Sequence, residues 1–213
     1  MSQTGSPYER LPPASTTEGP LMWPWEHAAV GYLLYSLLTR PRTRDPPSDL
    51  AAVAVLFGTL LPDLIDKPLS WGLGVFQTGY AIGHSVFVAA PVGVVVGLLA
   101  ARADRQRVGV AFVVGYWTHL AGDVLNPLRN GNPPSADPVL WPVVIGPPYE
   151  TDLGLGRGLM YFGDLFESLQ TVDSVTLVVA YLLIPLSAMA VWVIDGLPGI
   201  GLLGRLGRRL QPK

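Results

Sequence analysis

The chain has 213 residues and a formal net charge of -2, and only 14% of its residues are charged while 49% are hydrophobic. A soluble domain carries about 25% charged residues, and a duplex-binding domain carries a basic footprint; this chain has neither, so the composition points to a membrane protein and no nucleic-acid partner is expected. Cysteine is absent, which removes disulfides, Cys-ligated zinc and thiol nucleophiles, so any metal must be held by His, Asp, Glu or backbone oxygen.

Residues 1–24 are polar and rich in Pro, Ser and Thr. They lack the basic start and apolar core of a cleavable signal and read as a disordered tail. Insertion then falls to the first internal helix. Five apolar segments follow, at about 25–39, 49–64, 83–101, 107–125 and 172–194. The last three match the roughly 20 residues needed to cross a bilayer, and the first two are short for it. Arg40 to Ser48 and Arg102 to Arg107 form tight basic turns, and residues 66–82 form a Gly- and aromatic-rich loop. Residues 126–171 hold seven prolines between Pro127 and Pro148 and read as one long Pro-rich loop. Residues 196–213 form a basic tail. The expectation is an all-α, polytopic membrane bundle of about five helices over residues 25–195.

With the N-terminus outside, alternation puts Arg40, Arg42, Arg44, Arg102, Arg105, Arg107, Arg205, Arg208, Arg209 and Lys213 on the inner face. Arg10, Lys67, Arg129 and Arg157 remain outside. This is the positive-inside pattern, and it predicts a cell-membrane protein with a cytoplasmic C-terminus. Trp23, Trp25, Trp71, Trp117 and Trp141 fall mostly near outer ends, as an interfacial aromatic belt would.

The three histidines of the chain follow the same map. His27 starts the first segment, Asp63 and Asp66 close the second, His84 opens the third, and His119 with Asp123 nears the end of the fourth. All are expected at outer helix ends. His119 and Asp123, at i and i+4, share a helix face. Imidazole with carboxylate favours zinc, manganese or iron over calcium. Six such side chains exceed one tetrahedral zinc and suggest a two-metal site with bridging aspartates, one or two ions in all, with chemistry suited to activating water at a phosphoester. Ionisable groups at membrane depth carry function by default. Ser85 has no nucleophile elbow around it, which favours a helix-start role.

At these residues the chain resembles the YdjM-like family of membrane-bound, metal-dependent hydrolases. The shared elements are His27, Leu61-Pro62-Asp63 with Asp66, Gly83-His84-Ser85, His119 with Asp123, and Trp141-Pro142. The His and Asp order is more remotely similar to zinc-dependent phospholipase C. The resemblance implies metal ligands His27, Asp63, Asp66, His84, His119 and Asp123. It departs in having Gly79-Tyr80-Ala81 where relatives carry His-Arg-Gly, and Lys67 where relatives carry His. Lys67, Arg129 and Ser85 are then the candidates for substrate binding, and Asp66 or Asp63 for general-base work.

The leading expectation is therefore hydrolysis of a phosphoester in a lipid or lipid-linked substrate at the outer face, with membrane lipids as partners and zinc the first-choice metal. Two other classes fit the same residues. One is a transporter of a divalent cation or proton, and the other a non-catalytic membrane protein with a structural metal. The cluster's confinement to one end speaks against a conduit.

Overall fold

The structure is a computed structural model that describes residues 22–202, except 172, 174, 176 and 177. The tail over residues 1–21, the start of the fifth predicted segment and the basic residues from Arg205 onward lie outside the described residues. Every regular element among the described residues is helical. Helix α1 is Pro24–Thr43, α2 Asp49–Lys67, α3 Val86–Arg102, α4 Gln106–Leu125, α5 Gly156–Thr171 and α6 Leu183–Ile194.

The boundaries follow from local chemistry. Pro24 opens α1 at the first helical position, where its missing N–H costs nothing. Glu26 reaches back to accept a 2.7 Å hydrogen bond from the Trp23 amide. Arg44 closes the helix in the left-handed region at φ 59°. The Ser48 hydroxyl caps α2 by accepting from the Ala51 amide, and Ser85 caps α3 by accepting from Phe87. Helix α2 continues through Pro62 to Lys67, so Asp63, Asp66 and Lys67 stand at i, i+3 and i+4 on regular helix. A five-residue π-helical turn, Pro68–Gly72, extends it.

Helix α4 is the centre of the bundle and packs on α1, α2 and α3, while α6 packs on α1. The α2–α4 approach is close because two glycines face it. A Cβ at Gly58 would stand 2.3 Å from the Phe112 carbonyl oxygen, and one at Gly115 would stand 2.3 Å from that of Val55. Small residues at such a crossing let backbones touch. The contact brings Thr59 of α2 beside His119 of α4.

The polarity of the molecule is inverted relative to a soluble protein. Glu26, His27, Asp63, Asp66, His84, His119, Asp123 and Asp195 are all buried. Large apolar side chains such as Leu37, Phe57, Val94, Leu98, Leu186 and Ile194 are exposed. Acids are seldom this buried unless they are paired, and most of these are.

One expectation needs correction. Residues 126–171 are not one loop. The prolines end at Pro148, and α5 follows them at Gly156–Thr171. Proline density describes only the first half of the segment. Among the described residues one helix, Gln106–Arg129, is long and apolar enough by length and composition to cross a membrane. Val86–Arg102 and Leu183–Ile194 are apolar but shorter. Helices α1 and α2 have the length, but they carry Glu26, Arg40 and Arg42, or Asp49, Asp63, Asp66 and Lys67, which lower their mean hydropathy.

Candidate metal centre

Four elements converge on one buried point. His27 comes from the first turn of α1, Asp63 and Asp66 from the last turns of α2, His84 from the segment before α3, and His119 and Asp123 from the second half of α4. His84 and His119 are fully buried, and Asp63 and Asp123 keep only a small exposed edge.

Two hydrogen bonds fix the imidazoles. His119 Nδ1 lies 2.5 Å from the Thr59 carbonyl oxygen, which can only accept, so this nitrogen carries the proton. His84 Nδ1 lies 2.7 Å from Asp66 Oδ2 and donates to it in the same way. In the neutral rings both Nε2 atoms are then bare lone pairs, and they face each other at 3.1 Å. Asp123 Oδ2 stands 3.3 Å from His119 Nε2 and 3.4 Å from His84 Nε2. Asp63 Oδ1 stands 3.4 Å from His84 Nε2 and 3.8 Å from His119 Nε2. Asp123 Oδ2 is buried and has no hydrogen-bond partner.

Acceptors aimed at acceptors in a dry interior repel one another unless a cation lies between them. The spacing fits one. Zinc–nitrogen and zinc–oxygen bonds of about 2.0–2.1 Å in a tetrahedron place the ligand atoms about 3.3 Å apart. The residues present therefore suit a metal ion. Among the described residues two groups could hold one: Asp63 with His84 and His119, and His27 with His119 and Asp123. They share His119, whose single free lone pair can serve one ion only.

The remaining predicted residues sit around this centre in different ways. Asp66 is not among the inward-facing donors. Its Oδ1 accepts from the Gly83 amide, and its Oδ2 accepts from the amides of Ala81 and His84 and from the His84 ring. It is fully buried, so it orients His84 and has no surface to offer a substrate as general base. His27 stacks on His119 at 3.8 Å between ring centroids and points Nε2 at Asp123 Oδ1, 3.5 Å away. Its Nδ1 is buried without a partner.

Lys67 binds Asp63 Oδ2 at 2.5 Å, lies 5.6 Å from the Trp71 ring centroid and remains partly exposed. Arg129 is engaged by Glu26 through both carboxylate oxygens, at 2.5 and 3.1 Å. Ser85 is fully buried and donates to the Trp141 carbonyl oxygen at 2.5 Å while it caps α3, so it faces no substrate.

Sequence reasoning missed Glu26, Thr59, Tyr80 and Tyr116. The Tyr116 hydroxyl donates to the Gly83 carbonyl oxygen at 2.7 Å and so pins the turn that carries His84. The Tyr80 ring meets His84 edge-on at 4.9 Å. An acid placed directly before His27 at the head of an apolar helix was a visible signal for Glu26. The carbonyl of Thr59 left none. A cleft of about 380 Å³ over Gly74–Ala81, Trp141 and Ile145 shares Tyr80 with the wall of the centre, but no donor residue lines it.

Together these features define a helical protein with a buried His–Asp donor cluster at one end of its bundle. By the match of a family model over residues 22–195, the chain belongs to the YdjM inner membrane protein family. The match covers all six of the described helices and every donor. No curated protein and no solved structure matches the chain.

Proposed function

We propose that the protein is a membrane-embedded, metal-dependent hydrolase. It spans the membrane several times with its N-terminus outside and its C-terminus in the cytoplasm. It cleaves a phosphoester in a lipid or lipid-linked substrate at the outer face. The observation that carries the reading is the pair of imidazole Nε2 atoms 3.1 Å apart, with Asp63 Oδ1 and Asp123 Oδ2 3.3 to 3.8 Å from them and Asp123 Oδ2 without a hydrogen-bond partner.

Asp63, His84, His119 and Asp123 would hold one ion, with zinc first and manganese or iron next. A bound ion would supply an acidified water and neutralise charge on the phosphoryl oxygens. The chain's own groups do the rest. Asp66 and the Thr59 carbonyl lock the two rings in the tautomer that presents Nε2. His27 braces Asp123. Lys67 is the cation at the mouth, free to turn from Asp63 toward a substrate anion. Arg129, held by Glu26, shapes the neighbouring wall.

A conduit is less well supported. Inward from Thr59 the bundle is filled by Val55, Ala52, Ala51, Ala111 and Tyr35, an apolar plug rather than a polar path. A structural metal has one observation in its favour, because four protein donors close a tetrahedron. What supports catalysis over a structural ion is the residual exposure of Asp63 and Asp123, 8 and 7%, beside the partly exposed Lys67.

The test is release of headgroup phosphate from mixed phospholipid vesicles and lipid-linked phosphoesters by metal-loaded protein. The hydrolase reading expects turnover that His84→Ala abolishes and Ser85→Ala retains. Stoichiometric metal without turnover across the panel would favour the structural reading instead.

A further inference from the structure

We infer that α5 is an in-plane membrane helix, seated at the outer boundary of the bilayer with one edge among the acyl chains. The helix divides into three faces. Arg157, Gly158, Tyr161, Leu165 and Leu169 are the less exposed positions, at spacings that put them on the side toward the protein. Leu159, Phe162 and Phe166, at i, i+3 and i+7, are 77, 53 and 68% exposed. They form an apolar stripe about a quarter-turn from the protein-facing side. Asp164, Glu167 and Gln170 are also exposed and lie on the other side of that stripe, away from the protein.

A water-exposed helix has no reason to keep two large aromatics and a leucine in one outward row. A membrane-crossing helix has no room for Asp164 about two turns from either end with Glu167 a turn beyond it. An apolar face beside a polar one, on a helix already held by the protein on a third side, suits a helix lying in the interface, here with acids where such helices usually carry Lys or Arg. The occupant of the stripe is lipid, because the stripe continues a belt already present. Phe162 packs on Trp23 and Trp25, with ring centroids 4.8 and 6.1 Å away, and those two stack on each other at the head of α1. Aromatic pairs of this kind mark headgroup depth. The acidic face argues against an anionic soluble partner.

The inference depends on membrane embedding and not on hydrolysis. Its consequence for the donor cluster is positional. Tyr161 of α5 lies 5.9 Å from Trp71, whose ring lies 5.6 Å from Lys67, which binds Asp63. A helix fixed at headgroup depth therefore fixes the mouth of the cluster at that depth.

The absence of cysteine permits single labels in the full chain. Phe162→Cys and Asp164→Cys, each carrying an environment-sensitive fluorophore, are compared in nanodiscs, with Leu159→Cys and Glu167→Cys as a second pair should one of the first fail to fold. Lipids brominated near the headgroup should quench the 162 and 159 probes several-fold more than the 164 and 167 probes. Aqueous iodide should give the reverse order. Equal iodide quenching at all positions would put the helix in water, and equal lipid quenching would make it a span; either result overturns the inference.

Discussion

The two ends of the bundle each bury a polar cluster, and they are built on opposite rules. At one end, Asp195 accepts from the Tyr32 hydroxyl at 2.8 Å, the Ser36 hydroxyl at 2.7 Å and the Arg40 guanidinium at 2.9 Å. Acceptor and donors are matched, and the result ties α6 to α1. At the other end, two imidazole Nε2 atoms face each other and two carboxylates, and although Lys67 binds Asp63 from the edge, Asp123 Oδ2 is left buried without a partner. A buried polar network that is fully satisfied holds a fold together. One left with surplus acceptors needs a cation. The difference separates a structural carboxylate from a ligating one without reference to any relative.

Variants at each end test this contrast. The largest effect is expected from His119→Ala or His84→Ala, which remove half of the imidazole donors. Bound metal should fall from one equivalent to none, read by plasma mass spectrometry on purified protein. Asp66→Asn comes next. It leaves the donors in place but loosens the His84 ring, and metal affinity should drop about 10–100-fold, measured by competition with a chelator. At the other end, Asp195→Ala strands the Tyr32 and Ser36 hydroxyls and should cost about 1–3 kcal/mol of stability. Its melting temperature should fall while its metal content stays at the wild-type level. A loss of metal there would mean that the two clusters are coupled, and the contrast would fail. The smallest effect is expected from Lys67→Met. Metal should remain, and KM for an anionic substrate should rise about 3–10-fold with little change in kcat, the cost of one partly exposed charge-assisted contact.

Much of this organisation could be read from the residues. The apolar runs marked α1 to α4 within a few positions, because charge-poor stretches end at Arg- and Pro-rich turns. Helix α5 was hidden by the prolines before it. Its own pattern, with Gly156, Gly158 and Gly163 among aromatics and acids, is weak by propensity. The spacing of His119 and Asp123 announced a shared face. What spacing could not tell was which carboxylates look inward. Asp63 and Asp66 differ by three residues on one helix, yet Asp63 faces the imidazoles while Asp66 is ringed by the amides of Ala81, Gly83 and His84. That distinction depends on the path of the loop before α3, a tertiary fact. Lys67 and Arg129 read alike as free cations. The structure divides them, because Glu26 holds Arg129 by both oxygens and Lys67 stays at the edge of the donors.

The most direct test is metal content of the purified full chain after loading with zinc, manganese or iron and removal of excess, beside Asp63→Asn with His119→Ala and beside Asp195→Ala. The account predicts one equivalent in the wild type and in the Asp195 variant, and none in the double variant. No stoichiometric metal in the wild type after loading, or an equal loss at both ends of the bundle, would contradict it.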